Sequence, residues 1–248
     1  MHKFVIDINA DLGEGFNNEA QLIPLISSCN IACGGHAGNA TIMRNVVKMA
    51  IRNKVKIGAH PSFPDRAHFG RVPMEMSPEA LFTSVKNQIQ TLASIVKAEN
   101  GVIHHVKPHG ALYNIAAKDD VVASVLVKVM ETMHNTVRLY VPYRSVIANL
   151  AQQQNIPIIY EAFADRNYDE DLTLVPRRNP NAVLYDDEAV FKHVYRIVSK
   201  AKVKTITGAL VAIKAQTFCV HGDNPKAIEL LNQLKQRLAS KGIIYAND

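Results

Sequence analysis

About seven short apolar, β-branched runs punctuate this chain: "KFVIDI", "SSCNIAC", "VKIGA", "VIHHV", "VRLYV", "IPIIYE" and "TFCVH". Helical patterns lie between most of them. "NATIMRNVVKMAIRN" begins at a good N-cap, Asn39, and places Ile42, Val46, Val47 and Ala50 on one face. "SPEALFTSVKNQIQTLASIVKAENG" reads as a long helix with Ser77 as cap, Pro78 at its first position and Gly101 just past its end. Further helices are expected at "DDVVASVLVKVMETMH", "SVIANLAQQQ", "DDEAVFKHVYRIVSK" and "NPKAIELLNQLKQRLAS". Strand alternating with helix argues for a parallel sheet, because each helical crossover returns the chain to the same end of the sheet. With this many strands in 248 residues, a closed or nearly closed β/α barrel of TIM-like type is favoured over an open doubly wound sheet. No linker, low-complexity tract or fixed-period repeat divides the chain, so residues 1–248 are expected to form one domain.

A parallel barrel places its chemistry where strands leave it, and that is where this sequence turns polar. "HVKPHG", "GAHPSFPD", "CVHGDNP" and "NIACGGHAG" each close an apolar run on a His beside Gly or Pro. Asp7, Asn9 and Asp11 are read as following the first strand, Asn30 and His36 the second, and His60 the third. Lys107 and His109 follow the fourth, Glu161 the sixth, and His221 and Asp223 the last. These groups are expected to converge on one mouth. Taken singly, any of the four His could sit in a turn; four at equivalent positions call for a common explanation. His2, His68, His104, His105, His134 and His193 lack that placement and are read as structural.

Within that set, Asp11 and Glu14 of "NADLGEG" could cap a turn or, beside His residues, act as a base. Asp11 with His36 and His60 is a candidate three-ligand site for a divalent metal, although the spacing matches no diagnostic metal motif. Lys107 ends an apolar strand, where an ammonium needs a counter-charge or a task such as stabilising a developing oxyanion. The segment 162–185 lacks helical period and reads as a long functional loop with a short strand at Leu172 to Val175. It carries Asp165, Arg166 and Arg177: either an Asp–Arg pair organises the loop, or Arg166 or Arg177 grips a carboxylate or phosphate.

Several classes drop out. Lys and Arg exceed Asp and Glu, giving a net charge of +6, but they are scattered on helix faces without a nucleic-acid motif. A modest basic balance suits small anionic substrates equally well. The N-terminus has no signal-peptide apolar core, and no run of about 18 apolar residues appears, which disfavours secretion and membrane insertion. The three cysteines, Cys29, Cys33 and Cys219, lack metal spacing and read as reduced core thiols of a cytoplasmic protein. There is no P-loop, no dinucleotide fingerprint and no GxSxG elbow.

Read together, "NADLGEGF", "NIACGGHAG", "GAHPSFPDR" with "FGR", "HVKPHGALYN", "EAFADRNY" and "CVHGDNP" resemble the motif series of the LamB/YcsF family, the A subunits of prokaryotic 5-oxoprolinase. The likeness runs in order from Asp7 to about Pro225. Departures are small: Asn39 where an acid is expected after "HAG", Ala67 and His68 interrupting the "DR…FGR" segment, and "DEDLTLVPR" replacing a more Gly-containing run. The resemblance implies a seven-stranded barrel similar to the glycoside hydrolase/deacetylase superfamily. It also implies ATP-dependent opening of 5-oxoproline to glutamate, with ATP and Mg²⁺ as cofactors and B and C subunits as partners. Under it, Asp11 or His60 is the expected base, Lys107 holds an oxyanion or phosphate, and His109 transfers protons. Arg166 or Arg177 takes the substrate carboxylate, with Glu14, His36, Glu161, Asp165, His221 and Asp223 lining the site. Two other readings stand: a stand-alone metal-dependent deacetylase or amidohydrolase, and a non-catalytic binding subunit.

Overall fold

The computed structural model describes residues 4–222, 224 and 226–246. Seven parallel strands form the barrel: β1 (Phe4–Leu12), β2 (Ser28–Ala32), β3 (Lys56–His60), β4 (Ile103–Val106), β5 (Arg138–Pro142), β6 (Ile158–Phe163) and β9 (Thr217–Cys219). Each pairs with the next, and β9 pairs with both β6 and β1, which closes the ring. All seven coincide with the apolar runs of the sequence. Three short strands were not anticipated. β7 (Lys202–Lys204) and β8 (Leu210–Ala212) form a small antiparallel hairpin, and β10 (Ile243–Tyr245) lies parallel to the start of β1. The strand expected at Leu172 to Val175 does not form; a single bridge between Tyr168 and Leu174 stands there, because the loop's backbone is tied by turn bonds instead.

The expected helices are α2 (Ala40–Arg52), α3 (Pro78–Ala98), α5 (Asp120–Glu131), α6 (Val146–Gln153), α7 (Asp187–Lys200) and α8 (Ala227–Ala239). Two short ones, α1 (Glu19–Leu22) and α4 (Gly110–Ala116), lack enough turns to show a period. Five helix starts are fixed by a side chain accepting from the third backbone N–H beyond it: Asn39, Ser77, Asp119, Ser145 and Asp186. Each such cap is worth about 1 kcal/mol. Among the described residues no helix is long and apolar enough to cross a membrane.

Strand alternation divides the interior from the coat. On β1, Ile6, Ile8, Ala10 and Leu12 join the main apolar core, whereas the alternate residues Asp7, Asn9 and Asp11 bond to polar partners on β2 and β9. Asp7, Asn9 and Asp11 therefore lie within β1, not after it. Asp7 falls at the floor, bonded to Ser28, Thr217 and Lys56, and does not reach the mouth as the sequence reading expected. The barrel core is consequently polar, and the apolar core is the shell between strands and helices.

Candidate functional site

The "KPHG" stretch answers to a close approach. Gly110 sits at φ 56, and a Cβ there would stand 2.5 Å from the Gly70 carbonyl. Only glycine allows α4 to start against the 63–72 loop, where Ala111 N–H donates to Gly70 O at 2.9 Å. That turn drives Lys107 and His109 inward. Both are buried, as are Asp11, His60 and Glu161.

Lys107 is the hub. Its ammonium lies 3.1 Å from Asp11 Oδ1 and 3.0 Å from Glu161 Oε1. It also donates to Asn9 Oδ1 at 3.3 Å and meets Cys219 Sγ at 3.1 Å. Asn30 Nδ2 donates to Asp11 Oδ1 at 2.8 Å, and Asn9 Nδ2 to Glu161 Oε1 at 2.9 Å, so both carboxylates are held from below. Burial alone would favour a neutral amine, but Asp11, Cys219 and Glu161 outweigh it and keep Lys107 charged. Burial would likewise raise Asp11, yet His60 and Lys107 hold its carboxyl well below the usual range. Asp11 is a fixed anion, which makes it a poor proton acceptor.

Beside this trio two imidazoles meet head-on. His60 Nδ1–H donates to Lys107 O at 2.7 Å, and His109 Nε2–H donates to Phe69 O at 3.0 Å. A carbonyl only accepts, so these bonds fix both tautomers. The remaining nitrogens, His60 Nε2 and His109 Nδ1, then face each other at 2.9 Å, both as acceptors in the neutral form. Asp11 Oδ2 is 3.3 Å from the first and Glu14 Oε1 3.4 Å from the second. Ligand atoms of Asp11, Glu14, His60 and His109 all fall within 4.8 Å of one another. Four acceptors around one point need a shared proton or a cation. Burial, with His60 and His36 beside it, depresses the pKa of His109, so its ring stays neutral.

His36 is not part of that group. Its Nε2–H donates to Glu14 at 2.9 Å and its ring stacks on His109 at 3.7 Å. It backs the site and does not line the cavity, contrary to the expectation that it would be a metal ligand or wall residue; Glu14 takes that place. Burial keeps it neutral.

A cavity of about 810 Å³ opens over these residues, walled by Asp11, Glu14, His60, Lys107, His109, Glu161 and His221. The 162–185 loop forms another side. Arg166 borders the cavity, but its guanidinium donates to Val175 O at 2.6 Å and Ala182 O at 3.3 Å. It organises the loop, and its expected grip on a substrate carboxylate is not supported. Asp165 pairs with His221, not with Arg166: His221 Nδ1–H donates to Asp165 at 2.8 Å and its backbone N–H at 3.1 Å. This orients the His221 ring against Phe163. Burial would raise Asp165, but His221 beside it holds it low. Arg177 is exposed on the rim and lines the cavity. Asp223 lies outside the described residues.

Sequence reasoning missed Tyr113, Phe163 and Cys219 as site residues. Two signals were available. Tyr113 is four positions after His109, hence on the same face, and "TFCVH" alternates so that Thr217, Cys219 and His221 share the inner face. Cys29 and Cys33 are core thiols, each pushed up to about 12 by burial.

Known proteins resemble this chain in sequence and in fold. The profile described as "LamB/YcsF family" matches residues 6–247. The 5-oxoprolinase A subunit of Haemophilus influenzae (strain PittEE) is 42% identical over 238 residues, covering 96% of this chain and 97% of that one. Its counterpart from Geobacillus thermodenitrificans (strain NG80-2) is 43% identical over 242 residues, covering 96% and 94%. Among solved structures, the lactam utilization protein from Thermus thermophilus superposes with a TM-score of 0.91 at 34% identity, over 99% of this chain and 100% of that one.

Proposed function

The chain belongs to the LamB/YcsF family, and on that premise we propose that its barrel mouth opens a five-membered lactam, 5-oxo-L-proline, to L-glutamate. The observation that carries the reading is the buried ammonium of Lys107 between two carboxylates, beside two imidazoles whose tautomers are fixed by backbone carbonyls. An unactivated amide resists water, so ATP-derived phosphorylation of the lactam oxygen supplies a leaving group. With no familiar nucleotide cradle in this chain, we assign that activation to two partner subunits of the 5-oxoprolinase B and C type, with Mg²⁺ accompanying the nucleotide.

In this scheme His60 takes a proton from the attacking water, with Asp11 as the fixed anion that stabilises the resulting imidazolium. His109 relays that proton from His60 toward the ring nitrogen as the C–N bond breaks, leaving the amine of glutamate, and hydrolysis of the resulting acyl phosphate releases inorganic phosphate and the carboxylate. Lys107 stabilises charge on the reacting oxygen, and Arg177 with His221 faces the anionic end of the substrate. The same four acceptors, Asp11, Glu14, His60 and His109, suit a divalent cation. They would hold it, and it would supply Lewis-acid activation of water; metal analysis of the purified chain, with and without chelator, tests this second reading.

The function is tested by measuring glutamate and ADP release with the chain alone, the partners alone, and all three together. Only the full mixture should form glutamate at the rate of ADP release. Stoichiometric turnover by this chain alone overturns the partner requirement. Amide hydrolysis that tracks bound zinc without ATP favours the deacetylase reading.

A further inference from the structure

Two neighbouring wall residues of the cavity carry buried polar atoms that make no well-formed hydrogen bond: the Tyr113 hydroxyl, which lies close to the Glu161 carboxylate, and Glu161 Oε2. Tyr113 is 6% exposed and Glu161 2%. Leaving such atoms unsatisfied is costly unless a ligand completes them. The hydroxyl has a donor to offer; the carboxylate oxygen can only accept. Around them the wall is apolar. Phe163 meets Tyr113 edge to face at 5.8 Å, and Leu174 packs on the same small cluster with Cys219. Burial and the nearby Glu161 push the Tyr113 hydroxyl well above its ordinary value, so it keeps its proton throughout the neutral range.

We propose that the Tyr113 hydroxyl and Glu161 Oε2 form a donor–acceptor pair that reads the cis-amide edge of a small lactam, an inference that rests on the lactam-opening reading above. A five-membered lactam holds its N–H and C=O side by side on one edge, whereas an open-chain amide in the trans form points them apart. Glu161 Oε2 accepts the ring N–H, the Tyr113 hydroxyl donates to the carbonyl oxygen, and Phe163 and Leu174 cover the ring methylenes. The arrangement selects cyclic over linear amides before any bond is broken. It also sets the carbonyl beside Lys107, which already contacts Glu161 Oε1 at 3.0 Å.

The test is calorimetric titration of the full chain with 5-oxoproline and with its lactone counterpart, in which a ring oxygen replaces the N–H. The lactone sets a lone pair against Glu161, so the lactam should bind at least about 10-fold tighter. Tyr113→Phe should weaken both rings by about 10-fold and leave their ratio intact. Its melting temperature should change by no more than a few degrees, because the hydroxyl gives up only its interaction with the neighbouring Glu161 carboxylate. Glu161→Gln, whose amide can donate to a ring oxygen, should bring the ratio toward one. Equal binding of lactam and lactone to the wild type overturns the inference, as does a Tyr113→Phe chain that binds both rings at full strength. Failure of both rings to bind also overturns it, while the lactam-opening reading is judged separately by glutamate formation in the reconstituted mixture.

Discussion

At the floor of the barrel Asp7 accepts from Ser28 at 2.6 Å, Thr217 at 2.7 Å and Lys56 at 3.1 Å, and Tyr140 reaches Ser28 at 3.3 Å. Further up, the mouth holds Asp, Glu, Lys and His in comparable density. There Glu161 Oε2 and the Tyr113 hydroxyl make no well-formed hydrogen bond, and two imidazole nitrogens face each other as acceptors. A middle layer links the two regions. His105 Nε2–H donates to Asn30 at 2.7 Å, its ring fitting where a Cβ on Gly58 would lie 2.1 Å away, and it stacks on Tyr140 at 3.9 Å. Buried polar groups that are fully paired make one rigid structure; those left incomplete at a cavity wall are the ones a ligand completes. The floor is a scaffold, and the mouth retains the bonding capacity.

The sharpest way to break this contrast is His60→Gln. It removes the proton carrier yet keeps a side chain able to donate to Lys107 O, and glutamate formation by the assembled enzyme should fall by about 10²–10⁴-fold. Lys107→Met follows, with turnover down by about 10²–10³-fold. The fold suffers too, because Lys107 is buried between Asp11 and Glu161 and its loss leaves two buried carboxylates without their counter-charge. Urea unfolding should register a loss of about 3–5 kcal/mol.

Acid comes next. His193 on α7 buttresses the mouth from outside, donating to Phe163 O at 3.2 Å and stacking on Tyr168. Burial lowers its pKa from 6.5 to about 4. Between those values the unfolded chain binds a proton that the folded chain does not. Stability is therefore full above pH 6.5 and declines as pH falls toward 4, by on the order of 3 kcal/mol for this group. His193→Gln, which can still donate to Phe163 O, should show a shallower loss of melting temperature between pH 7 and pH 5 than the wild type. The smallest effect belongs to the floor: Lys56→Met removes a partly exposed partner of Asp7 and should cost about 1 kcal/mol or less in urea unfolding.

The seven barrel strands were legible because each lies in an apolar run that alternates with helical patterns, and six of the helices because they span two turns or more and most carry a cap. The hairpin β7–β8, β10 and α4 were not, since they fall outside that alternation and α4 is too short to display a helical period. Much of the mouth was readable from punctuation: His60, Lys107, His109, Glu161 and His221 stand where strands end. Asp7 was misplaced because β1 runs through to Leu12, which puts its first acid at the opposite end. His36 and Arg166 were misjudged because side-chain partners decided their roles: Glu14 and His109 claim one, the loop carbonyls the other. Asp165 looked like a partner for Arg166, and only the fold shows that β9 brings His221 to it.

The most direct test of the contrast between floor and mouth is glutamate formation measured side by side in assemblies carrying Lys56→Met or His60→Gln, each first shown to be folded by its unfolding curve. The account predicts that the floor variant stays within about twofold of wild type while the mouth variant loses at least about 100-fold. Comparable rates for the two variants, whether both high or both low, would contradict it.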